Sequence, residues 1–278
     1  MMDKIDLNKI YLNKLPVDDS KLIYFEPISL SGLEEMHEYS INEKFYEFFE
    51  FDVFKTKKET EQYLKKLIER TKIVNGQIQS MYWFVRLKED SKLIGSAALV
   101  NINQNRKSAE IGYGIDPNYW GKGYVLLLQN ALIKYTFESL GLNRLHGITM
   151  VNNERTISSI YAAGFKKEGI LRDYYFKDNR FIDGLKYSML KTDYISSSKI
   201  GFTNKEISIK DLIKLVKEEL KEHIDENSSM LNTSNWDSLS HLGIIVNLSN
   251  KHKIELNPIK IADATSIREL YKICNNLK

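Results

Sequence analysis

The chain has 278 residues, more than the roughly 100 to 200 residues of a usual single domain, so its length predicts two domains. Its 42% hydrophobic and 28% charged residues are globular values that exclude extended disorder, and the net charge of +3 is too small to predict a nucleic-acid partner. The N-terminus lacks the apolar core of a signal peptide, and no run reaches the ~18 apolar residues of a membrane helix, so we expect a cytoplasmic protein without a membrane partner.

The first two thirds of the chain alternate strand-like and helical patterns, which indicates a mixed sheet with helices. Thr56 and Glu59 fit a capping box in front of a helical apolar repeat. Three runs, 81–87, 93–101 and 109–115, are separated by polar turns and predict an antiparallel meander.

The second half of this region continues the alternation. A helix is predicted from near Gly123 to before Gly141, then a strand over 145–150, a short helix over 155–163 and two strands around Asp178 and Asn179. Residues 1–190 are therefore expected to form one domain.

Residues 191–204 contain a serine run and no sustained period, so they are predicted to be a linker. Residues 205–278 have only helical patterns, including a helix that opens with a Ser266/Glu269 capping box, and predict a small helical bundle. Cys274 lies on the apolar stripe of that helix, where a buried structural thiol is expected.

The densest motif runs from Asp116 to Tyr124 between a predicted strand and a predicted helix. Glycines at such a junction let backbone amides converge, and the helix N-terminus adds a positive dipole end, so the motif suits a pyrophosphate. A Gly-x-Gly before a helix is also what a plain strand-to-helix turn uses.

Four segments together resemble the GNAT acyltransferases, and among them the ribosomal-protein N-acetyltransferases of the RimJ/RimL type. They are AEIGYGIDPNYWGKGY, FESLGLNRL, NERTISSIYAAGFKKEGILRD and DGLKYSML, in this order. The resemblance covers about residues 22–190. It implies an α+β fold with a mixed central sheet and acetyl-CoA, or another acyl-CoA, as cofactor.

The resemblance also implies positions for that cofactor. The backbone of Ile115 is expected to bind the pantetheine, and Asn153 to contact the cofactor near the next helix, although it is equally suited to cap that helix. The pyrophosphate is expected at Trp120, Gly121, Lys122, Gly123 and Tyr124.

Transfer to an amine needs an acceptor for the amine proton. Glu110 is the family-like candidate base, while an ordinary strand carboxylate and proton transfer through water are the alternatives. The place where many relatives have a tyrosine acid holds Ile160, so the adjacent Tyr161 is a weaker candidate for that role. Asn118 and the pair Leu126-Leu127 also depart from the commoner residues of the branch.

The aromatic segment 45–51 falls where this family binds its acceptor. Aromatic rings with two carboxylates suit a partly apolar molecule that carries an amine, but the same residues are also suited to pack a helix on the sheet. We expect packing for at least half of them.

The C-terminal region resembles acyl and peptidyl carrier proteins around Asp237-Ser238-Leu239. The resemblance implies that Ser238 carries phosphopantetheine, attached by a phosphopantetheinyl transferase, and that acyl-loading or downstream biosynthetic enzymes are partners. Capping of a helix by Asp237 or Ser238 is the alternative. His241 is expected to be a surface residue.

The leading hypothesis is an N-acyltransferase that moves an acyl group to the primary amine of a small metabolite such as an amino sugar or amino acid. Its alternatives are acetylation of a protein N-terminus, and a non-catalytic carrier in which only Ser238 is active. The pattern leaves open whether the arm on Ser238 presents the donor or the acceptor.

Overall fold

The computed structural model describes residues 14–74, 77–199, 207–237, 240–241, 243–245, 247–248 and 264–275. Its contacts divide the chain into two compact units. The first comprises Met1–Tyr119, Ala131–Asn153 and Lys166–Lys191, and the second comprises Trp120–Asn130, Glu154–Phe165 and Thr192–Lys278.

The first unit contains a seven-stranded sheet. Its strands are β1 Ile23–Pro27, β2 Met81–Leu87, β3 Leu93–Asn103, β4 Ser108–Ile115, β5 Arg144–Met150, β6 Lys166–Lys177 and β7 Arg180–Leu190. Their order in the sheet is β1-β2-β3-β4-β5-β7-β6. Every neighbouring pair is antiparallel except β4 and β5, which are parallel. The predicted meander of β2, β3 and β4 is confirmed.

Two helices of the first unit pack on one face of the sheet. Helix α1 spans Leu33–Ser40 and α2 spans Lys57–Arg70. The predicted capping box at α2 is confirmed: the Thr56 hydroxyl accepts from the Glu59 amide, and the Glu59 carboxylate accepts from the Thr56 amide. Their apolar sides share one core with the sheet, formed by Ile28, Met36, Tyr39, Leu64, Leu67, Tyr82, Phe84, Leu93 and Ala98.

Helix α3, Tyr124–Lys134, continues into a π-helical turn, Tyr135–Ser139. In the first unit, the Tyr135 ring meets the fully buried Trp83 edge to face at 5.6 Å between centroids. The predicted helix between Gly123 and Gly141 is confirmed. The spacing of its apolar residues does not indicate that the last turn is π-helical.

Strands β6 and β7 form the hairpin that was predicted around Asp178 and Asn179. Both residues have left-handed backbone, with φ of 51° and 59°. Two successive residues of this kind match the twist of paired strands, and Asn and Asp tolerate the conformation better than most side chains.

The regular structure in the described part of the second unit is mainly helical. Helix α4 spans Glu154–Ala162, α5 Lys191–Lys199, α6 Ile209–Leu220 and α7 Ile267–Cys274. Residues 191–199 were predicted to be linker, and α5 occupies them. The prediction missed it because the segment Lys-Thr-Asp-Tyr-Ile-Ser-Ser-Ser-Lys has no apolar repeat at helical spacing.

The C-terminal helices share one buried core. It contains Ile207, Leu212, Leu215, Val216, Leu220, Ile224, Met230, Trp236, Ile244, Leu248, Ala264, Ile267, Leu270 and Cys274, together with Leu126 and Ala162. Cys274 is buried in this core, as predicted, and burial raises the pKa of its thiol to about 12. No helix in the described residues is long and apolar enough to span a membrane.

Two polar side chains of the C-terminal region differ from their predicted arrangement. The Ser266 hydroxyl accepts from the Glu269 amide as expected, but the Glu269 carboxylate accepts from the Ser266 hydroxyl at 2.8 Å and not from the backbone amide of Ser266. The prediction that His241 is a surface residue is wrong: it is fully buried, and its Nδ1 accepts from Trp236 Nε1 at 3.0 Å. A buried indole N–H needs such an acceptor.

The ion pair between Glu168 and Arg144 gives a prediction about stability. The guanidinium of Arg144 binds both carboxylate oxygens of Glu168, and this hydrogen bonding lowers the pKa of Glu168 to about 2. A lowered folded-state pKa stabilises the fold above the ordinary pKa of a glutamate and stops doing so as the pH falls towards 2.

We therefore expect Glu168→Gln to lower the free energy of unfolding at pH 7 by about 1 kcal/mol, a small value because the pair is partly exposed. The deficit should shrink between pH 4.5 and pH 2. Urea denaturation at pH 7 and pH 3 measures it, with Glu89→Gln in an exposed turn as control. An equal deficit at both pH values would contradict the assignment.

Candidate functional site

One face of β4 carries a single carboxylate followed by two glycines. Glu110, Gly112 and Gly114 alternate with Ala109 and Ile111, which are buried on the opposite face. A Cβ placed on Gly112 would have just one described neighbour within 4 Å, the Ala98 Cβ at 3.9 Å. The strand therefore has room beside it at Gly112, next to Glu110 on the same face.

The ladder between β4 and β5 is short. It pairs Ser108 with Arg144, Ala109 with Leu145 and Glu110 with His146. Both strands continue past Glu110 and His146, to Ile115 and Met150. Paired residues of neighbouring strands point to the same face, so Glu110 and His146 lie side by side where this ladder ends.

Glu110 and His146 differ in their polar contacts. The Glu110 carboxylate accepts from Asn101 Nδ2 at 2.8 Å. His146 is half-buried, and its Nδ1 has no hydrogen-bond partner among the described residues. Burial lowers the pKa of His146, although the nearby Glu110 charge opposes this, so the imidazole is neutral at pH 7. Sequence reasoning missed His146, since a lone histidine in a strand carries no motif.

The aromatic segment 45–51 packs against the end of β4. Phe45 stacks on Phe49 with 5.4 Å between centroids, and a Cβ on Gly114 would come within 2.6 Å of the Phe45 ring. Tyr46 is buried, and burial raises its pKa to about 12. Phe51, by contrast, is 38% exposed, so the segment both packs and reaches the surface.

The β6–β7 hairpin holds this segment from the other side. Lys177 Nζ donates to the backbone carbonyls of Tyr46 and Phe49, at 3.1 and 2.8 Å. The Phe176 amide donates to the Glu50 carboxylate at 3.3 Å. One of the two predicted acceptor-site carboxylates thus has a backbone partner.

The glycine loop, Trp120–Gly123, belongs to the second unit. Gly121 and Gly123 have φ of 71° and 82°, a left-handed conformation that glycine adopts without steric cost. The loop runs directly into α3, where the Leu126 amide donates to the Gly123 carbonyl at 3.0 Å. This left-handed backbone allows the amide N–H groups of the loop to point toward an anion.

A cation adjoins this loop that sequence reasoning also missed. The guanidinium of Arg155, on the first turn of α4, lies 4.1 Å from the centre of the Trp120 ring. Stacking of this type keeps an arginine oriented. Lys122 is exposed in the same loop.

The remaining predicted residues are divided between the units. Ile115 and Asn153 are buried in the first unit, where the Asn153 amide donates to the Met150 carbonyl at 3.0 Å immediately before α4. Tyr161 is 37% exposed on α4 in the second unit, and its neighbour Ile160 is fully buried. Its role as an acid stays a prediction.

Ser238 lies outside the described residues, but its neighbour Asp237 is described. The Asp237 carboxylate accepts from the Ser240 amide at 2.9 Å, and the Ser240 hydroxyl accepts from the Asp237 amide at 2.9 Å. This reciprocal pair is the local pattern of a helix N-cap, one of the roles considered for Asp237.

A family model described as an acetyltransferase (GNAT) domain matches residues 23–166. The uncharacterized N-acetyltransferase p20 of Bacillus licheniformis is 37% identical over 116 residues, which are 42% of this chain and 65% of p20. The putative ribosomal N-acetyltransferase YdaF of Bacillus subtilis is 36% identical over 105 residues, 38% of this chain and 57% of YdaF. These matches thus cover less than two thirds of either relative.

A third relative is the spermidine N(1)-acetyltransferase of Vibrio cholerae, 30% identical over 116 residues that are 42% of this chain and 67% of the relative. A crystal structure of spermidine N-acetyltransferase from Vibrio cholerae with CoA and spermine superposes with a TM-score of 0.55 at 23% identity. The superposition covers 63% of this chain and 98% of the Vibrio cholerae chain. This likeness supports the mixed-sheet α+β fold predicted for the first domain.

The two glycines of β4 provide a matched pair of variants. Gly114→Ala should lower the free energy of unfolding by about 1 to 2 kcal/mol, because its methyl group would overlap the Phe45 ring. Gly112→Ala should leave stability unchanged or raise it by up to about 1 kcal/mol, since its methyl group enters open space and restricts the unfolded chain. Urea denaturation of both variants measures the difference, and equal losses would refute this packing.

Proposed function

Because the chain belongs to the GNAT acetyltransferase family, we propose that residues 1–190 transfer an acetyl or other acyl group from a pantetheine thioester to a primary amine. The observation that carries this proposal is the left-handed pair Gly121 and Gly123 at the start of α3, within the family match. The relatives that match the chain are named N-acetyltransferases, which supports the same reaction class.

In this proposal, acetyl-CoA or another acyl-CoA supplies the thioester carbonyl. The diphosphate would be held by Trp120, Gly121, Lys122, Gly123 and Tyr124, through the backbone amides of the loop and the charge of Lys122. Arg155, stacked on Trp120, would add positive charge. The backbone of Ile115 would bind the pantetheine, and Asn153 would contact the cofactor where α4 begins.

The reaction forms a C–N bond and breaks a C–S bond. The amine nitrogen attacks the carbonyl carbon, its proton passes to a base, and the sulfur leaves as a thiol after taking up a proton. Glu110 is proposed as the base, directly or through water, and Tyr161 as a donor to the sulfur. Beside Glu110, His146, whose pKa is lowered by burial, would provide a second proton acceptor at the end of the β4–β5 ladder.

We propose that the acceptor binds at the aromatic segment 45–51. The stacked rings of Phe45 and Phe49 give an apolar wall, and Glu47 adds a carboxylate that favours a cationic amine. An amino sugar, an amino acid or a polyamine fits this chemistry, the last of these because one relative is named for spermidine. Acetylation of a protein N-terminus is the alternative suggested by the name of YdaF.

The second part of the proposal is that residues 205–278 act as a carrier. Ser238 would receive phosphopantetheine from CoA through a phosphopantetheinyl transferase. In that step the serine oxygen forms the new bond to phosphorus, and adenosine bisphosphate leaves. The N-cap at Asp237 supports a phosphate at the next position, because the start of a helix favours negative charge.

Replacing the proposed base tests the first part. Glu110→Gln should lower kcat for acetyl transfer from acetyl-CoA to spermidine by about 10² to 10⁴-fold while the KM for acetyl-CoA changes little, because the amide keeps the shape but accepts no proton. Steady-state kinetics measures both constants. Glu168→Gln is the control, since its carboxylate is engaged by Arg144. An unchanged kcat would remove Glu110 as the base.

Intact-mass spectrometry tests the second part. Incubation of the full chain with a phosphopantetheinyl transferase and CoA should add one phosphopantetheine group, and Ser238→Ala should block the addition. Ser234→Ala, at an exposed serine four residues earlier, should be modified like the wild type. An adduct that persists in Ser238→Ala would refute the assignment.

A further inference from the structure

A tyrosine hydroxyl lies over β5 immediately beyond the point where the β4–β5 ladder ends. Tyr187 on β7 pairs with Gly147, the residue that follows His146 on β5. A Cβ built on Gly147 would meet the Tyr187 hydroxyl oxygen first and the Cζ atom of the ring at 2.6 Å. The ring therefore leans from β7 across β5 and carries its hydroxyl toward the side on which β4 lies.

The ring of Tyr187 occupies the space that a side chain at position 147 would fill. Gly147 lies within β5 and has no left-handed φ, so no turn requires a glycine there. A methyl group at this position would overlap both the hydroxyl and the ring carbon that bears it. Both residues are buried, Tyr187 with 3% exposure, so the ring cannot swing into solvent without leaving the core. The hydroxyl is thus held at one place over β5.

Tyr187 and Glu110 lie on opposite faces of the sheet. Glu110 and His146 are paired at the end of the β4–β5 ladder and share one face, whereas Gly147 is the next residue of β5 and faces the other side. Paired residues of neighbouring strands point to the same face, so Tyr187 shares the face of Gly147. A carboxylate on one face and a phenol on the other therefore flank the end of the ladder.

The surroundings of Tyr187 keep its proton on the oxygen. Burial raises the pKa of Tyr187 well above its usual value, and the nearby Tyr113, Tyr175 and Glu110 raise it further. A phenol of this kind is uncharged at pH 7, so it serves as a hydrogen-bond donor without ionising. The effect of Glu110 also shows that the carboxylate and the phenol lie within electrostatic range of each other.

Transfer of an acyl group from a thioester needs a donor of this kind at the leaving sulfur. In the tetrahedral intermediate the amine nitrogen and the sulfur are separate substituents of one carbon, and negative charge develops on the sulfur as the C–S bond breaks. A hydrogen-bond donor that is already in position stabilises this charge. A donor on the face opposite to Glu110 can act at the sulfur while Glu110 accepts the proton of the nitrogen.

We propose that Tyr187 donates a hydrogen bond to the sulfur of the acyl donor as the C–S bond breaks. This inference rests on the proposed function, because Glu110 of the same unit is the base proposed there. The balance of the transfer is unchanged. The C–N bond forms, the C–S bond breaks, the amine loses one proton to Glu110, and the sulfur gains one from the donor already proposed, Tyr161. Tyr187 keeps its own proton throughout.

Removal of the hydroxyl tests the inference by steady-state kinetics. Tyr187→Phe should lower kcat for acetyl transfer from acetyl-CoA to spermidine by about 10- to 10²-fold, as expected for the loss of a hydrogen bond to a charged group. The KM for acetyl-CoA should change little, because the charge on sulfur develops only in the transition state. Tyr24→Phe is the control, since it removes a hydroxyl from a half-buried tyrosine on the edge strand β1 and should leave kcat unchanged. A wild-type kcat in Tyr187→Phe would overturn the inference.

The dependence on the leaving group separates this role from packing. Acetyl transfer is measured from S-acetyl-N-acetylcysteamine, which releases an alkyl thiol, and from S-phenyl thioacetate, whose aryl thiol is more acidic and leaves more readily. Tyr187→Phe should be slowed more with the alkyl donor, because the aryl thiolate needs less stabilisation. Equal slowing with both donors would show a packing effect and overturn the inference. If the wild type does not use these short donors, kcat and KM with acetyl-CoA decide.

The possible failures are distinguishable. If the wild type is active and Glu110→Gln is slow, but Tyr187→Phe keeps the wild-type kcat, the inference is wrong and the proposed function stands. If circular dichroism shows that Tyr187→Phe does not fold, Gly147→Ala takes its place, since its methyl group displaces the hydroxyl and should also lower kcat. An unchanged kcat in Gly147→Ala would then overturn the inference. A wild type that acetylates neither spermidine nor an amino sugar nor an amino acid refutes the proposed function and the inference with it.

Discussion

The single parallel pair in the sheet, β4 with β5, is the constraint on which the candidate site depends. Antiparallel neighbours are joined by short turns, but a parallel pair needs a crossover connection. Here the crossover covers residues 116–143, and the glycine loop lies in it after a 3-10 turn, Pro117–Tyr119. The loop at the end of β4 and the N-terminus of α3 are thus products of the same topology, and left-handed backbone at Gly121 and Gly123 is what the turn requires.

The same parallel pair explains why Glu110 and His146 lie next to each other. Because the ladder ends at Glu110 and His146, these two side chains lie at the last common position of the strands. Gly112, which follows Glu110 on its face, leaves room beside the strand, whereas Phe45 fills the space next to Gly114. Burial keeps His146 neutral, so a carboxylate and an uncharged imidazole stand together without an added positive charge.

The sequence predicted those parts of the fold that depend on local pattern. The runs of β2, β3 and β4, the capping box of Thr56 and Glu59, and the turn at Asp178 and Asn179 each have a period or a residue type that determines them. Helix α5 was missed because it lacks an apolar stripe. The position of His241 was predicted wrongly because its burial accompanies a hydrogen bond from the Trp236 indole N–H, five residues earlier, that no motif indicates. No local pattern indicates that His146 and Arg155 belong to the candidate site. Each is placed there by a neighbour in space, His146 by Glu110 and Arg155 by Trp120.

Contacts between segments distant in sequence also determine which residues form the core of the C-terminal region. Its pattern predicts a separate bundle after a linker, whereas its core includes Leu126 of α3 and Ala162 of α4. Apolar burial is the dominant favourable term in folding, so a shared cluster ties the stability of the glycine loop to that of the C-terminal helices. The family match ends at residue 166 and therefore carries no information on this coupling. A substitution in the C-terminal core consequently acts on the loop as well, which makes the loop's conformation, and with it the affinity for a diphosphate, a property of the whole second unit.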